Sequence, residues 1–429
     1  MDDFLYKDGS LYCEGLAVRD IASSVGTPCY VYSTKTLRDH FVRLRDAFAP
    51  IKPLICYSVK CCSNLAILRV LTDLGAGMDV VSGGEIFRAS KAGGNPAHFV
   101  YAGVGKSDSE IRSALALNIG LFNVESEMEF ETLARIARET GTKTKAALRV
   151  NPDVDPKTHR YTTTGKRESK FGVDLERAET FFKDYGHDPF VALHGIHLHI
   201  GSPVYTTDPY VESVRKALVL MDKLTANGFH IDTLDLGGGF GADYETDQSP
   251  RASTYAAAII PLLKDRVANG LKIILEPGRT IAANAGVLLT KVEYVKRSGD
   301  RNFVICDAGM HTLLRPSHYG AFHFVWPTDP GPALVPTRRA RDMTLPGLER
   351  TEVVGPLCET GDFIAEDRML APLHRGDLLC VFTAGAYGMT MASRYNSHPL
   401  PVEVLVDGEA FRIVRERETY QDLVQHETL

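Results

Sequence analysis

A pattern that repeats eight times between residues 54 and 276 constrains the fold of this chain more than any other feature of its sequence. Each repeat is a short run rich in β-branched and aromatic residues, then a turn, then a stretch with apolar residues at helical spacing. The predicted strands lie at residues 54–58, 77–82, 98–102, 120–124, 146–150, 193–200, 232–237 and 272–276. Eight such units with short connections predict an α/β protein with a TIM-like (β/α)8 barrel. A doubly wound sheet is the alternative, but it usually needs fewer strands in this length of chain.

The sequence after Asn284 follows a different pattern. It contains strand-like runs without long helices, such as residues 286–296 and 378–388, which predict a second, mostly β domain. The N-terminal stretch to about Tyr32 fits no barrel unit, so we expect it to belong to the same β domain. The predicted domains are therefore a barrel at residues 33–284 and a β-sandwich or barrel-like domain at residues 1–32 and 285–429 that completes the active site.

One long loop interrupts the barrel pattern at residues 151–172 (NPDVDPKTHRYTTTGKRESKFG). Loops of this length are functional or mobile segments more often than they are regular structure. We therefore expect this loop to be functional or mobile.

Charge and cysteine usage exclude several functional classes. The 48 Lys and Arg residues against 54 Asp and Glu residues leave a net charge of −6, which argues against nucleic acid or an anionic membrane as the main partner. The N-terminus does not resemble a signal or transit peptide, and no apolar run approaches the ~20 residues that span a bilayer. The eight cysteines are scattered without metal-ligand spacing, which predicts neither a disulfide scaffold nor a metal site. We expect a cytoplasmic enzyme that acts on a small molecule.

Polar residues and glycines follow the predicted strands, at the end of the barrel where active sites lie. In chain order they are Lys60, Asp79, Arg149, His197, His199, Ser202, Gly237, Gly238, Gly239, Glu276, Pro277, Gly278 and Arg279. A lysine, an imidazole, a glycine cradle and a carboxylate together indicate a phosphate-bearing cofactor bound as a Schiff base.

Each of these residues has a chemical and a structural interpretation. Desolvation makes a lysine amine nucleophilic, but a lysine at a strand end is usually a solvated charge. Three glycines let backbone N–H groups approach phosphate oxygens, but they also form plain turns. Because alternate strand residues point to the same face, His197 and His199 share one face, and either can be a buried core histidine. A carboxylate at Glu276 would keep a pyridine nitrogen protonated and make the ring an electron sink, or it could cap a helix.

Nine motifs occur in a fixed order along nearly the whole chain. They are YSVKCCSN, RVNPDVDPKTH, KFGVD, HLHIGS, DLGGGFG, EPGR, RPSHYGAFH, CETGDF and GAYGMTMASRYN. The chain resembles the diaminopimelate decarboxylases of the fold-type III family of pyridoxal-phosphate enzymes. That family includes the ornithine and arginine decarboxylases and is similar in its barrel to alanine racemase. The motifs RPSHYGAFH and CETGDF separate this branch from the ornithine branch.

The resemblance implies pyridoxal 5'-phosphate as the cofactor and assigns roles to individual residues. Lys60 would bind the cofactor covalently, His199 would stack on its ring and Glu276 would pair with the ring nitrogen. The implied cofactor-binding residues are Lys60, Asp79, Arg149, His199, Ser202, Gly237, Gly238, Gly239, Glu276, Pro277, Gly278, Arg279 and Tyr387. The implied catalytic residues are Lys60, Cys358, His199 and Glu276.

The resemblance also implies a substrate and an assembly. Arg279, Arg315, Tyr319, Glu359 and Tyr387 would bind the substrate. Two guanidinium groups suit a second carboxylate, which lysine and ornithine lack. The implied reaction is decarboxylation of meso-2,6-diaminopimelate to L-lysine, the last step of lysine biosynthesis. The thiol that protonates the α-carbon and the neighbouring carboxylate would come from the partner subunit of an obligate homodimer, although a free cysteine is more often a small buried hydrophobe.

Departures from the family pattern keep two other interpretations open. The chain has Cys61 and Cys62 where Ala-Asn is usual, and His398 where an arginine is common. The segment 322–326 is also unusual. One alternative is a pyridoxal-phosphate decarboxylase of another diamino acid (ornithine, lysine or arginine) in secondary metabolism. The other is a catalytically inactive regulatory paralogue, which would be expected to have lost the lysine or the thiol.

Overall fold

Eight parallel strands close into a barrel in one of the two compact units of the computed structural model, which describes residues 2–155 and 170–429. This barrel unit comprises His40–Gly241 and Ser249–Thr280. Its strands, numbered β1 to β8, are Leu54–Ser58, Gly77–Val80, Phe99–Tyr101, Leu121–Val124, Thr144–Asn151, Val191–His197, Thr233–Asp235 and Lys272–Leu275. Each pairs in parallel with the next, and β8 pairs with β1. The predicted (β/α)8 barrel is confirmed, with strand ends shifted by up to three residues.

The barrel strands are mostly apolar because most of their residues are buried on both faces of the sheet. Every residue of β2, β3, β4 and β7 is buried, which is typical of parallel strands covered by helices. Side chains of five strands form one buried cluster, made of Cys56, Val100, Leu121, Ala147 and Ile274. This packing leaves the carboxyl ends of the strands for polar side chains.

Five of the seven α-helices that lie wholly within the described part of the barrel unit follow a residue whose side chain caps the first turn. The seven helices span Leu65–Asp73, Gly83–Lys91, Asp108–Ala116, Glu127–Thr140, Leu175–Tyr185, Asp208–Ala226 and Ala252–Ala268. Ser82, Ser107 and Ser126 each accept a hydrogen bond from the third helical N–H group. Ser107 and Glu110 form a complete capping box. A short strand, Val173–Asp174, extends the sheet beside β5.

Strand register brings several of the predicted site residues to one level of the barrel. His197 at the end of β6 pairs with Arg149 of β5 on one side and with Asp235 of β7 on the other. Ser58 at the end of β1 pairs with Asp79 of β2. Because all of these strands are parallel, their polar residues gather at the same end of the barrel.

The second unit, here called the β unit, comprises Met1–Asp39, Ala242–Gln248 and Ile281–Leu429. Its larger sheet contains Cys29–Ser33, Gly286–Ser298, Arg301–Cys306, Val325–Pro327, Glu349–Val354, Phe363–Leu370, Leu378–Val381, Val402–Asp407 and Ala410–Arg415. A smaller sheet contains Phe4–Lys7, Ser10–Cys13 and Leu16–Ala17. Its helices are Val18–Val25, Arg315–Tyr319 and Tyr420–Val424, while Thr34–Ala47 and Arg279–Ala282 cross the boundaries of the two units.

The N-terminal segment belongs to the β unit, as the sequence predicts. Cys29–Ser33 lies between two strands from the other end of the chain, antiparallel to Gly286–Ser298 and parallel to Val402–Asp407. A mostly β domain that is discontinuous in sequence is therefore confirmed. The predicted boundaries of the two domains stay a prediction.

Residues 156–169 of the predicted loop 151–172 lie outside the described residues. Among the helices of the described ranges, none combines the length and the apolar character needed to cross a membrane.

Candidate active site

Lys60 lies in a single helical turn, Val59–Cys61, directly after β1. Its Nζ is 2.8 Å from Oδ2 of Asp79, whose side chain is fully buried. Ser58 donates a short hydrogen bond to the same carboxylate oxygen. The lysine side chain keeps 37% of its exposure, so its amine is held by a buried carboxylate and still accessible. An amine in this position can react with a bound carbonyl compound.

Two buried carboxyl groups lie together at the ends of β7 and β8. Asn123 of β4 donates from Nδ2 to Oδ2 of Asp235 at 3.1 Å and to Oε1 of Glu276 at 3.2 Å. Burial raises the pKa of Glu276 to about 8, and the nearby charge of Asp79 acts in the same direction. Burial and the neighbouring Glu276 also raise the pKa of Asp235. This pair therefore keeps a proton at neutral pH.

His197 lies beside this carboxyl pair. Its Nε2 is 3.4 Å from Oε2 of Glu276, without the geometry of a hydrogen bond. Burial lowers the pKa of His197 to about 4, so the ring is neutral at physiological pH. Its two nitrogens have no hydrogen-bond partner among the described residues. An imidazole left this way is a polar group available to a bound molecule.

A second ion pair lies at the end of β5. Nη1 of Arg149 is 3.1 and 3.2 Å from the two carboxylate oxygens of Glu125, and both side chains are buried. Glu125 also accepts hydrogen bonds from the backbone N–H groups of Gly103 and Gly172. The guanidinium lies 4.5 Å from the ring centroid of Phe171. Within the described ranges, Nε and Nη2 of Arg149 have no hydrogen-bond partner, so this buried cation keeps donors for a bound group.

His199 lies in the loop after β6, because the strand ends at His197 rather than at the predicted Ile200. The N–H of Gly238 donates to Nδ1 of His199 at 3.3 Å, which leaves the ring proton on Nε2 of the neutral imidazole. Burial lowers the pKa of His199 well below its usual value, with the cations Arg149 and Lys60 adding to the effect. The ring is therefore uncharged and half-buried.

The three glycines after β7 lie where a side chain has no room. A Cβ atom at Gly238 would be 2.3 Å from the carbonyl oxygen of Glu276. Gly237 and Gly239 have φ angles of +65° and +97°, which favour glycine. The N–H of Gly237 donates to Oδ1 of Asp235 at 2.9 Å. The glycines thus bring the chain close to the buried carboxyl pair.

The segment 276–279 after β8 packs against the turn that carries Lys60. The N–H of Ser58 donates to the carbonyl of Pro277 at 3.1 Å, and a Cβ atom at Gly278 would lie 2.9 Å from Cβ of Ser58. Arg279, which is buried, donates from Nε to Oγ of Ser202 at 3.1 Å. This places Ser202 and Arg279 side by side at the strand ends.

The β unit holds the other predicted residues in three segments of the chain. Arg315 begins a short helix and is buried, with its guanidinium 5.9 Å from the ring centroid of Tyr319. Cys358 is the exposed one among eight otherwise buried cysteines, so it is not a core hydrophobe. Tyr387 has a φ angle of +54°. The predicted substrate-binding residue Arg315 is thus buried, whereas the predicted catalytic residue Cys358 is exposed.

Cys358 and Glu359 contact two consecutive residues of the same unit. Asn396 donates from Nδ2 to Sγ of Cys358 at 3.3 Å, and the Tyr395 hydroxyl donates a short hydrogen bond to Glu359. Asp362 supports this segment, because its buried carboxylate accepts from the N–H of Leu357 at 2.7 Å. The thiol and the carboxylate are therefore held on an anchored, exposed connection.

Sequence reasoning missed several polar residues of the barrel site, among them Ser58, Asn123, Glu125 and Asp235. Each lies in or directly after a buried apolar strand, and a polar residue in such a run is the signal that could have found it. Once the register of β6 and β7 is known, Asp235 is placed beside the site because it pairs with His197. The hydrogen bonds of Asn123 to the carboxyl groups of Asp235 and Glu276 join residues that are 112 and 153 positions apart in the chain.

The chain is similar to known proteins over most of its length. The family of pyridoxal-dependent decarboxylases, pyridoxal binding domain, matches residues 34–283. The diaminopimelate decarboxylase of Aquifex aeolicus is 44% identical over 421 residues, which cover 98% of this chain and 96% of that protein. That of Pseudomonas aeruginosa is 44% identical over 432 residues, covering 100% and 99%. The crystal structure of diaminopimelate decarboxylase from Helicobacter pylori complexed with L-lysine is 38% identical, covers 96% of this chain and 99% of that one, and superposes with a TM-score of 0.88.

Proposed function

The chain belongs to the diaminopimelate decarboxylase family of pyridoxal-dependent enzymes, and from this premise we propose that it converts meso-2,6-diaminopimelate to L-lysine and carbon dioxide. This reaction is the last step of lysine biosynthesis. The observation that carries the proposal is the 44% identity over 98% of the chain with an enzyme of that name.

The barrel residues fit pyridoxal 5'-phosphate, the cofactor of this family. Buried polar atoms at the strand ends lack hydrogen-bond partners in the described part of the chain, and leaving such atoms unpaired is costly. They are Oδ1 of Asp79, Oδ1 of Asn123, Nε and Nη2 of Arg149 and both ring nitrogens of His197. When bound, the cofactor supplies a protonated pyridine ring that accepts the electron pair left by the departing carboxylate.

Lys60 would hold this cofactor covalently through Nζ, with Asp79 fixing the direction of the amine at 2.8 Å. Glu276 would hold a proton at the pyridine nitrogen. Its pKa of about 8 means that this carboxyl retains a proton at neutral pH, and a nitrogen base beside it would take up that proton and leave a carboxylate to stabilise the ring cation. The neutral ring of His199 would stack on the cofactor, and the glycines after β7 with Ser202, Gly278 and Tyr387 would bind its phosphate.

Recognition of the second carboxylate would fall to Arg279, Arg315 and Tyr319, and Tyr387 would also contact the substrate. Arginine binds carboxylates through paired N–H donors, so two guanidinium groups favour a substrate with a distal carboxylate. Lysine and ornithine have none, which makes their decarboxylation the weaker candidate. Glu359 would bind the distal ammonium group.

Cys358 would deliver a proton to the α-carbon after carbon dioxide leaves. We propose that this thiol and Glu359 act in the site of a partner subunit, so that the working enzyme is a homodimer. Their exposure in the single chain supports this, because an acid that protonates a carbanion needs a site that excludes water. We also propose a cytoplasmic location, supported by eight cysteines that are all free of disulfides.

The test is to saturate the purified protein with pyridoxal phosphate, add meso-diaminopimelate and measure L-lysine. We expect stoichiometric lysine from the wild type and none from a Lys60→Ala variant. Carbon dioxide release from ornithine or lysine instead would support the alternative substrate. A protein that binds the cofactor without any turnover would be the regulatory paralogue.

A further inference from the structure

The motif that contains Arg315 also contains His323, a buried histidine that no role above uses. We propose that His323 is a positioning residue that orients the guanidinium of Arg315, and through it sets the enzyme's selectivity for a substrate with a distal carboxylate. This inference rests on the function proposed above. It adds a residue that does not itself touch the substrate.

Two hydrogen bonds decide which nitrogen of His323 carries the proton. Nδ1 lies 3.0 Å from the carbonyl oxygen of Phe382, which can only accept, so the proton is on Nδ1. Nε2 is then a lone-pair acceptor, and it receives the hydrogen bond of Arg315 Nε at 3.3 Å. The backbone carbonyl thus selects the neutral tautomer that can accept from a guanidinium. A protonated imidazole would offer no acceptor and would repel the cation.

The carbonyl that selects this tautomer belongs to a fixed element. Phe382 directly follows the buried strand Leu378–Val381, and its N–H donates to the carbonyl of Phe324 at 2.8 Å. The side chain of His323 is fully buried. Its ring therefore cannot turn without breaking a hydrogen bond inside the protein.

Tyr244 packs against both members of the pair. Its ring meets the ring of His323 edge-on, with centroids 5.4 Å apart and planes at 87°. The guanidinium of Arg315 lies 5.1 Å from the same tyrosine ring centroid. Arginine has many rotamers, and the hydrogen bond at Nε together with the aromatic ring restricts them to one orientation. The substrate carboxylate would then meet a guanidinium that is already oriented.

Two substitutions separate this role from simple packing. In His323→Asn the side-chain amide can still donate to Phe382, but nothing replaces Nε2. In His323→Gln the longer side chain can place its carbonyl oxygen near the position of Nε2 and accept from Arg315. His374→Asn, at an exposed histidine of the same unit, is the matched control.

The experiment measures kcat and KM of the holoenzymes for meso-diaminopimelate and the inhibition constant of L-lysine, which has no distal carboxylate. We expect His323→Asn to raise KM about tenfold or more with a smaller change in kcat, and to leave the lysine constant within about twofold of wild type, since tenfold corresponds to one well-made polar interaction. His323→Gln should recover most of the loss, and the control should match wild type.

An unchanged KM in His323→Asn, with an active wild type, would overturn this inference and leave the proposed function standing. So would an equal loss for both ligands in both variants, accompanied by a lower melting temperature, because that result indicates packing alone. A wild type that is inactive on meso-diaminopimelate would overturn the proposed function and this inference together.

Discussion

The carboxyl groups at the strand ends of the barrel are buried, whereas the polar groups of the Cys358–Glu359 segment of the β unit are exposed. Asp235 and Glu276 are buried, joined by Asn123, and their pKa values are raised by that burial. Cys358 and Glu359 lie on an exposed connection between two strands. A single chain therefore desolvates the carboxyl groups of the barrel by itself, but leaves the thiol of Cys358 and the carboxylate of Glu359 exposed to solvent.

The physical difference comes from the elements that carry the residues. Parallel strands of three to eight residues, covered by helices, force polar residues at their ends into a closed environment. A connection between antiparallel strands at the edge of a sheet can project side chains into solvent. Under the proposed function, a partner subunit supplies the desolvation that the second region lacks.

The largest expected effect tests whether the exposed segment serves another chain. Lys60→Ala and Cys358→Ala should each be nearly inactive in lysine release. After the two are mixed, dissociated and reassociated, about a quarter of wild-type activity should return, because half of random dimers are mixed and each mixed dimer has one intact site. Mixing without the dissociation step is the control. No recovery would mean that Cys358 serves its own chain, and the contrast between the two regions would lose its explanation.

The next effect tests the buried region directly. Glu276→Gln replaces the proton-holding carboxyl by an amide, so kcat should fall by roughly 10²- to 10⁴-fold, the usual share of a positioned acid or base. The absorbance of the covalently bound cofactor should remain, because Lys60 is intact. Glu176→Gln, at an exposed carboxylate of the barrel unit, is the matched control. A kcat within threefold of wild type would exclude the proton role.

A smaller effect measures how tightly the buried region is packed. Gly238→Ala would place Cβ 2.3 Å from the carbonyl oxygen of Glu276, and backbone atoms cannot move aside cheaply. We expect a loss of about 1–3 kcal/mol in the free energy of unfolding, the cost of overpacking. Gly105→Ala, where no atom lies within 4 Å of the added Cβ, should change it by less than about 0.5 kcal/mol. Urea unfolding midpoints compare the two, and equal midpoints would contradict the close approach.

The smallest effect is the pH dependence of stability in the cofactor-free protein. With its pKa raised to about 8, folded Glu276 keeps a proton that the unfolded chain loses above its ordinary pKa of 4.5. The unfolded state therefore binds fewer protons, and stability falls as pH rises through about 8. The lowered pKa of His197 acts only below about pH 6.5, where an unfolded histidine binds a proton.

Between pH 6.5 and 8 we expect the free energy of unfolding to decrease by roughly 1 kcal/mol per pH unit. Glu276→Gln should reduce this slope, whereas Glu359→Gln, at an exposed carboxylate, should leave it unchanged. Urea unfolding at several pH values measures both. A slope of zero or of the opposite sign in the wild type would show that the buried carboxyls are ionised in the folded chain.

The architecture of this protein could be predicted from its amino-acid sequence, because the signals for strands and helices are local. Alternating apolar runs and helical spacing predicted all eight barrel strands, and the lack of barrel pattern before Tyr32 predicted that the first segment joins the β unit. Residues directly after strands, such as Lys60 and Glu276, could be selected because strand ends are readable from the sequence. Their roles in the reaction stay predictions.

Which polar groups share an environment depends on contacts that form only in the folded chain. Asn123 reaches two carboxyl groups because a closed barrel places β4 opposite β7 and β8, and no local pattern encodes that distance. Nε2 of His323 presents a lone pair to Arg315 because Nδ1 donates a hydrogen bond to the carbonyl of Phe382, which is 59 residues away in the chain. Burial, which raises or lowers the pKa of these groups, depends on packing from many segments at once. Spacing along the chain predicts which side chains reach the site, whereas their charge and orientation follow from contacts that exist only after folding.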